Sequence, residues 1–297
     1  MAAENGTPWA GRRLAVLGAG VMGSGIAALA VGHGITVSLI DVDRRRLDGA
    51  PARIGHQVRT ARLMGALPDG AVDGALLTGL SLAELVAADG AAPAAVIEAV
   101  TEDPDAKAKV LADVSALVAP GTPIISNTSA IPIDELARTT ARPGDLIGTH
   151  FMNPPYLIRT VEVIRGTHTG ESTLDALRGL LAALRRQPIV VEDAPGFVTS
   201  RILHPMINDA VRVVAAGTAS AESVDRLMRG CLGHPTGPLR TADLIGLDNL
   251  VDSLRVLYGR TGDEGCRPCD LLLEMVRAGH LGRKSGRGFY EYEGEQA

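Results

Sequence analysis

Aromatic residues are scarce. One Trp, four Tyr and three Phe make up 3% of 297 residues. That is too few for the stacking platforms that hold single-stranded nucleic acid. Positive charge is also short, with 29 Lys and Arg against 34 Asp and Glu and a formal net charge of −5. Such a chain has no overall attraction for nucleic acid or for an anionic membrane. Three cysteines make no disulfide framework, which suits a reducing compartment, and a cytoplasmic location is expected. No uninterrupted apolar run reaches ~18 residues, so no membrane-spanning helix is expected. Met1 to Arg13 has no apolar core of signal-peptide length. Lysine is almost missing, with only Lys107, Lys109 and Lys284. Beside so much alanine, that reads as codon bias and not as function.

Hydrophobic residues at 46% and charged residues at 21% describe a globular chain long enough for two domains. After a loose tail over residues 1–11, Leu14 to Leu17 is a continuous apolar run, the mark of a strand buried on both faces. A helix over Gly25 to Gly32 and a strand over Ile35 to Ile40 complete a βαβ unit. Helices follow at 44–64 and 81–89, separated by a stretch broken by Gly and Pro. Strands at 96–100 and 123–126 flank a helix at 107–118, and a short helix spans 133–139. Strands at 146–151 and 160–164, a helix at 173–184 and a last strand at 189–191 close the region. After Asp193 the pattern changes to helices near 198–216, 221–230, 241–258 and 268–279, with strand character only at Gly288-Phe289-Tyr290. The expected fold is α/β: a Rossmann-type dinucleotide-binding domain over 1–193 and an all-helical C-terminal domain over 194–297.

Gly18-Ala19-Gly20-Val21-Met22-Gly23 is G-x-G-x-x-G between a strand and a helix. The first Gly permits the tight turn, the second lets the backbone approach a pyrophosphate, and the third lets helix and strand pack closely. Asp41, 18 residues past Gly23, ends the next strand, where a carboxylate accepts ribose hydroxyls and repels a 2′-phosphate. NAD is the expected cofactor. Arg44, Arg45 and Arg46 leave NADP as the alternative, but a solvated helix start is the preferred reading of the three.

Of seven histidines, His150 stands near the end of an apolar strand, where open α/β sheets carry their catalytic groups. Glu162, twelve residues on, lies inside another apolar strand. A buried carboxylate needs a partner. His150 is one candidate; an Arg or a backbone amide is the other. A His held by a carboxylate is a competent general base. Cys266-Arg267-Pro268-Cys269 lacks two further ligands at zinc spacing and reads as the approach to a helix, so no metal is expected.

These segments together resemble the 3-hydroxyacyl-CoA dehydrogenase family. The likeness runs from about residue 13 to residue 293. It is carried by Gly18 to Ala27, Ile97-Glu98-Ala99-Val100-Thr101-Glu102, Ser126-Asn127-Thr128-Ser129, Thr149 to Pro155, Val161 to Ile164 and Pro195 to Val198. The C-terminal part adds His234 to Pro238, Asp243 to Asp248 and Gly282 to Tyr290. The resemblance implies that His150 is the general base, Glu162 its partner and Ser129 a hydrogen-bond donor to substrate. Glu102, Lys107, Ser129, Asn153 and Lys284 would line the nicotinamide end, beside the Gly18–Gly23 loop and Asp41. It further implies a short-chain 3-hydroxyacyl thioester substrate, and a helical domain that forms the substrate cleft and a homodimer contact.

Three departures bear on the substrate. Ser200 stands where the family has the Asn of Gly-Phe-x-x-Asn-Arg. The helix after Asp41 offers Arg53, Arg59 and Arg62 in place of lysines near the CoA phosphates. Asn153 is followed by Pro-Pro-Tyr-Leu-Ile-Arg-Thr. That run looks more like a subgroup acting on hydroxyacyl units, such as a glyceryl unit, carried by an acyl carrier protein for polyketide building blocks. A different class, a binding protein on a retained dehydrogenase fold, sits poorly with the presence of His150, Glu162 and Ser129.

Overall fold

The computed structural model describes residue 9 and residues 11–292. The tail expected over residues 1–11 therefore falls mostly outside the described residues. Trp9 departs from that expectation, since it is buried and joins the first core.

The chain separates at Asp193/Ala194 into two compact units. In the first, the order is β1 (Arg13–Leu17), α1 (Val21–Gly32), β2 (Thr36–Ile40), α2 (Arg44–Leu63), β3 (Leu76–Gly79), α3 (Leu82–Asp89), β4 (Ala95–Glu98) and α4 (Pro104–Leu117). Then come β5 (Ile124–Ser126), α5 (Ile133–Ala137), β6 (Leu146–His150), β7 (Thr160–Arg165), α6 (Glu171–Ala183) and β8 (Gln187–Glu192). Side-chain caps fix several helix starts: Asp43 accepts from the Arg45 N–H, Ser81 from Glu84, and Asp103 from Ala106 with Pro104 next to it.

The eight strands form one sheet in the order β3-β2-β1-β4-β5-β6-β7-β8. From β3 to β6 all pairs are parallel, so the carboxyl ends of β1, β2, β4, β5 and β6 share one edge. β7 runs antiparallel to β6, and β8 is parallel to β7. The central strands are buried on both faces, which accounts for their unbroken apolar runs. β3 escapes the sequence reading because it is a half-buried, four-residue edge strand inside the stretch broken by Gly and Pro.

The second unit packs α7 (Thr199–Ala215), α8 (Ala221–Leu232), α9 (Pro238–Ile245), α10 (Leu247–Thr261) and α11 (Asp270–Arg277) around Ile207, Val211, Leu239, Leu250, Leu254, Leu257 and Leu272. The single helix expected over 241–258 is two helices. Gly246 lies between them at φ +95° and ends the first, a conformation open to Gly and strained for other residues. The strand character expected at Gly288-Phe289-Tyr290 reduces to isolated bridges, Gly282 with Arg287 and Arg287 with Glu291. That segment is instead tied down by buried acids. Asp243 accepts from the N–H groups of Phe289 and Tyr290 and from the Tyr292 hydroxyl, and Asp225 accepts from the Tyr290 hydroxyl. Burial holds the Asp243 carboxyl above the usual carboxylate range. Cys269 is the residue before α11. Burial raises both its thiol and that of Cys266, the opposite of what a reactive cysteine needs. Among the described residues, no helix is long and apolar enough to cross a membrane.

One titrating group links the first unit's fold to pH. His33 ends α1, and its Nδ1–H donates to the Leu29 carbonyl at 2.8 Å. Burial, together with the nearby charges of Arg186 and Arg185, lowers its pKa below the ordinary value. The folded state therefore binds this proton less readily than the unfolded chain, and stability falls as pH drops below about 6.5. His33→Asn keeps a polar cap and removes the titration. Its melting temperature should fall less than the wild type's between pH 7.5 and pH 5.5, as thermal scans at both values would show.

Candidate active site

The loop after β1 is set by close backbone approach. Gly18 lies at φ +100°, and a Cβ there would come within 2.5 Å of the Ala99 carbonyl oxygen. A Cβ on Gly23 would collide with the Gly18 carbonyl. At Gly20 an added Cβ meets nothing within 4 Å. The outer face of the loop is therefore open where α1 begins, and α1 has no side-chain cap at its N-terminus. Ala19, Val21 and Met22 complete the turn. Uncapped N–H groups at a helix start suit a pyrophosphate.

Asp41 follows β2 and is buried. One of its oxygens accepts the Ala19 N–H at 2.7 Å and the other the Asp43 N–H at 2.9 Å. It thus shapes the loop, and each oxygen keeps a further lone pair for a ribose hydroxyl. Of the three arginines that follow, Arg46 lies 3.8 Å from Asp41 and Arg45 pairs with Asp43. Val42, which the sequence reading overlooked, stands almost fully exposed beside Asp41, an apolar surface suited to a flat base.

The arginines of α2 are mostly occupied. Arg53 donates to the Ala19 carbonyl and the Ser24 hydroxyl, beneath the loop. Arg62 pairs with Asp73 at 2.6 Å.

The ends of β4 and β5 carry a charged cluster. Lys107 and Glu98 are both fully buried, with Nζ 2.7 Å from Glu98 Oε1. Lys107 also lies 3.2 Å from Glu102 Oε2. Glu102 Oε1 accepts from the Thr128 hydroxyl and from the N–H groups of Ser129 and Ala130. Glu102 and Ser129 are thus brought together. Lys107, which the resemblance assigns to the nicotinamide end, is wholly enclosed, with the two carboxylates that a buried ammonium requires. Glu98 was visible in the motif, yet no role was attached to it; its apolar strand neighbours were the available signal.

His150 ends β6 and faces Glu162 of β7. The two are directly opposite in the antiparallel register, with His150 Nδ1 3.2 Å from Glu162 Oε2 and both side chains buried. Opposite residues of an antiparallel pair project to one face, so the register places the pair. Asn153 is exposed in the turn that follows. The Asn127 side chain accepts the Phe151 N–H at 3.1 Å and anchors the chain just past His150.

Ser200 and Lys284 belong to the second unit. Ser200 is buried in α7, and Lys284 lies 2.6 Å from the Asp248 carboxylate.

Residues 13–194 match the domain described as 3-hydroxyacyl-CoA dehydrogenase, NAD binding domain, and residues 196–292 match 3-hydroxyacyl-CoA dehydrogenase, C-terminal domain. The chain belongs to the 3-hydroxyacyl-CoA dehydrogenase family. It is 39% identical over 287 residues to a 3-hydroxybutyryl-CoA dehydrogenase of Bradyrhizobium diazoefficiens, covering 95% of this chain and 96% of that one. Among solved structures it is similar to Mycobacterium tuberculosis FadB2, with a TM-score of 0.87 and 34% identity, covering 95% of this chain and 99% of the other. It is also similar to the (S)-3-hydroxybutyryl-CoA dehydrogenase PaaH1 of Ralstonia eutropha, with a TM-score of 0.84, 37% identity and the same coverage. The protein is an NAD-dependent oxidoreductase of this family, acting on CH–OH, and the open loop at Gly20 with Asp41 fits that cofactor.

Asp41→Ala removes a carboxylate that serves both the loop and the cofactor. A hydrogen bond to a charged group contributes about 1.5–3 kcal/mol, so NAD affinity should weaken roughly 10- to 100-fold. The preference for NAD over NADP should narrow as well, because the repulsion of a 2′-phosphate is lost. Fluorescence titration with both reduced cofactors checks this.

Proposed function

We propose that this protein interconverts a short-chain 3-hydroxyacyl thioester, carried on CoA, and its 3-oxo form, with His150 as general base and Glu162 as its partner. The observation that carries the reading is the β6–β7 register, which sets His150 across from a buried carboxylate at the edge of the sheet where the cofactor loop also lies. The names of the relatives, 3-hydroxybutyryl-CoA dehydrogenases, support the substrate class. NAD supplies the hydride acceptor. Nδ1–H donates to Glu162, which holds one tautomer and directs Nε2 to the proton of the substrate hydroxyl. Glu162 then stabilises the imidazolium that forms. Ser129, on the loop fixed by Glu102, would hydrogen-bond the carbon–oxygen group where charge changes. Glu102, Asn153 and Lys284 are assigned to the cofactor, and Ser200 to the fit of the substrate. Lys107 acts from beneath Glu102.

A second reading has its own observation. Of Arg53, Arg59 and Arg62, the first and last are engaged within the first unit, which leaves only the exposed Arg59 of these three for CoA phosphates. That favours an acyl carrier protein as the thioester carrier, with a hydroxyacyl unit such as glyceryl. Turnover on a panel of CoA and carrier-protein thioesters separates the two. Faster turnover on 3-hydroxybutyryl-CoA is expected, and activity confined to carrier-bound units would overturn the first reading.

We place the enzyme in the cytoplasm as a homodimer formed by residues 194–297. Val211, Leu250, Leu254 and Leu257 are buried in the unit's own core. That leaves Val213 and Leu227 exposed for the contact. A light-scattering mass near one 30.8 kDa chain would rule the dimer out.

The catalytic pair has a sharper test. His150→Ala should lose about 10²–10⁴ in turnover. Glu162→Gln keeps the shape and loses the charge that favours imidazolium. Its turnover should fall as well, because the imidazolium formed in the reaction loses its counter-charge. Wild-type turnover would make Glu162 structural.

A further inference from the structure

Glu98 closes β4 beneath the surface, and Lys107 is enclosed with it. Well-packed apolar residues of similar volume often serve a fold as well as a buried ion pair does. The pair therefore calls for a reason beyond stability, and its surroundings supply one. Glu98 Oε1 accepts from Lys107 and from the Val100 N–H at 2.8 Å, and Oε2 accepts from the Ser126 hydroxyl at 2.6 Å. The carboxylate is thus held by β4, α4 and β5 together.

Above it, Glu102 sits on the loop after β4 with its side chain 38% exposed. A glutamate so placed ordinarily samples many rotamers, and fixing it costs entropy. Here one oxygen meets an ammonium that Glu98 anchors from below. The other accepts the N–H groups of Ser129 and Ala130 on the loop after β5.

We infer that Glu98 is a positioning residue: through Lys107 it fixes the Glu102 carboxylate, and through Glu102 it fixes the backbone of Ser129 and Ala130. The loop assigned to cofactor and the loop assigned to substrate then hold one arrangement, set by a carboxylate that neither ligand touches. The link to catalysis rests on the functional reading of Glu102 and Ser129 above; the mechanical link does not.

Amide hydrogen exchange on the full chain, without ligand, tests the mechanical link directly. Glu98→Gln is close in shape and removes the charge. Exchange at Ser129 and Ala130 should accelerate about 10-fold or more while amides of β1 and α6 keep wild-type rates. Turnover should fall about 10-fold, with a rise of several-fold in KM for NAD, as expected when positioned groups loosen. If the variant does not fold, Ser126→Ala, which removes only the hydroxyl bond to Oε2, carries the same test with an expected acceleration of about 3-fold. Unchanged exchange at Ser129 and Ala130 in a folded variant overturns the inference, and so does uniform acceleration across the unit, which marks lost stability alone. Local acceleration with unchanged turnover and KM upholds the mechanical link and refutes the assignment of Glu102 and Ser129 to the ligands.

Discussion

The chain reverses direction between β6 and β7, and much of the candidate site depends on that reversal. Had β7 joined the sheet parallel to β6, a crossover of a dozen residues or more would have been needed. The nine residues between His150 and Thr160 are too few for one. The short return places Glu162 opposite His150, and the pleat turns both side chains to one face. The same return carries Asn153 past the sheet edge, while Asn127 of the neighbouring loop holds the Phe151 N–H. Strand direction thus decides which carboxylate the imidazole meets.

Electrostatics at this edge follow from desolvation. Removing Glu98, Lys107 and Glu162 from water is costly for each. Each is met by a specific partner: Lys107 between Glu98 and Glu102, and Glu162 against His150. Three further acids order backbone. Asp41 shapes the cofactor loop, Glu102 the loop after β5 and Asp225 the start of α9. In all three cases a carboxylate accepts N–H groups from a segment distant in the chain. Fixed loops of this kind are what hydride transfer requires, because its rate falls steeply with misplacement.

Much of this was legible in the sequence for identifiable reasons. The G-x-G-x-x-G turn and Asp41 are short-range features of one βαβ unit, so spacing alone exposes them. The buried parallel strands announce themselves as continuous apolar runs. The change of pattern after Asp193 coincides with the division between the units. Less was visible where long-range contacts decide. Nothing in Leu76 to Gly79 advertises a strand, because an edge strand needs no second apolar face. The break at Gly246 was hidden in an amphipathic pattern that continues across it. The enclosure of Lys107 could not be read either, since a lysine three residues into a helix ordinarily reaches solvent. Arg53 and Arg62 stand out in the sequence only as arginines in place of lysines; their partners, Ala19 and Asp73, are long-range contacts that the sequence does not show.

The acids that hold residues 289–292 bear on when the second unit can finish folding. Asp243 is almost wholly buried, and its bonds come from Phe289, Tyr290 and Tyr292, some 46 to 49 residues later. During synthesis α9 therefore emerges with a carboxylate whose burial has no compensation, while the first unit already has every strand of its sheet. An unsatisfied buried acid is unfavourable enough to keep such a helix solvated. The second unit is thus obliged to close only once residues 289–292 are available to meet Asp243. A nascent chain stopped before residue 289 would carry a finished nucleotide-binding unit and an open helical one.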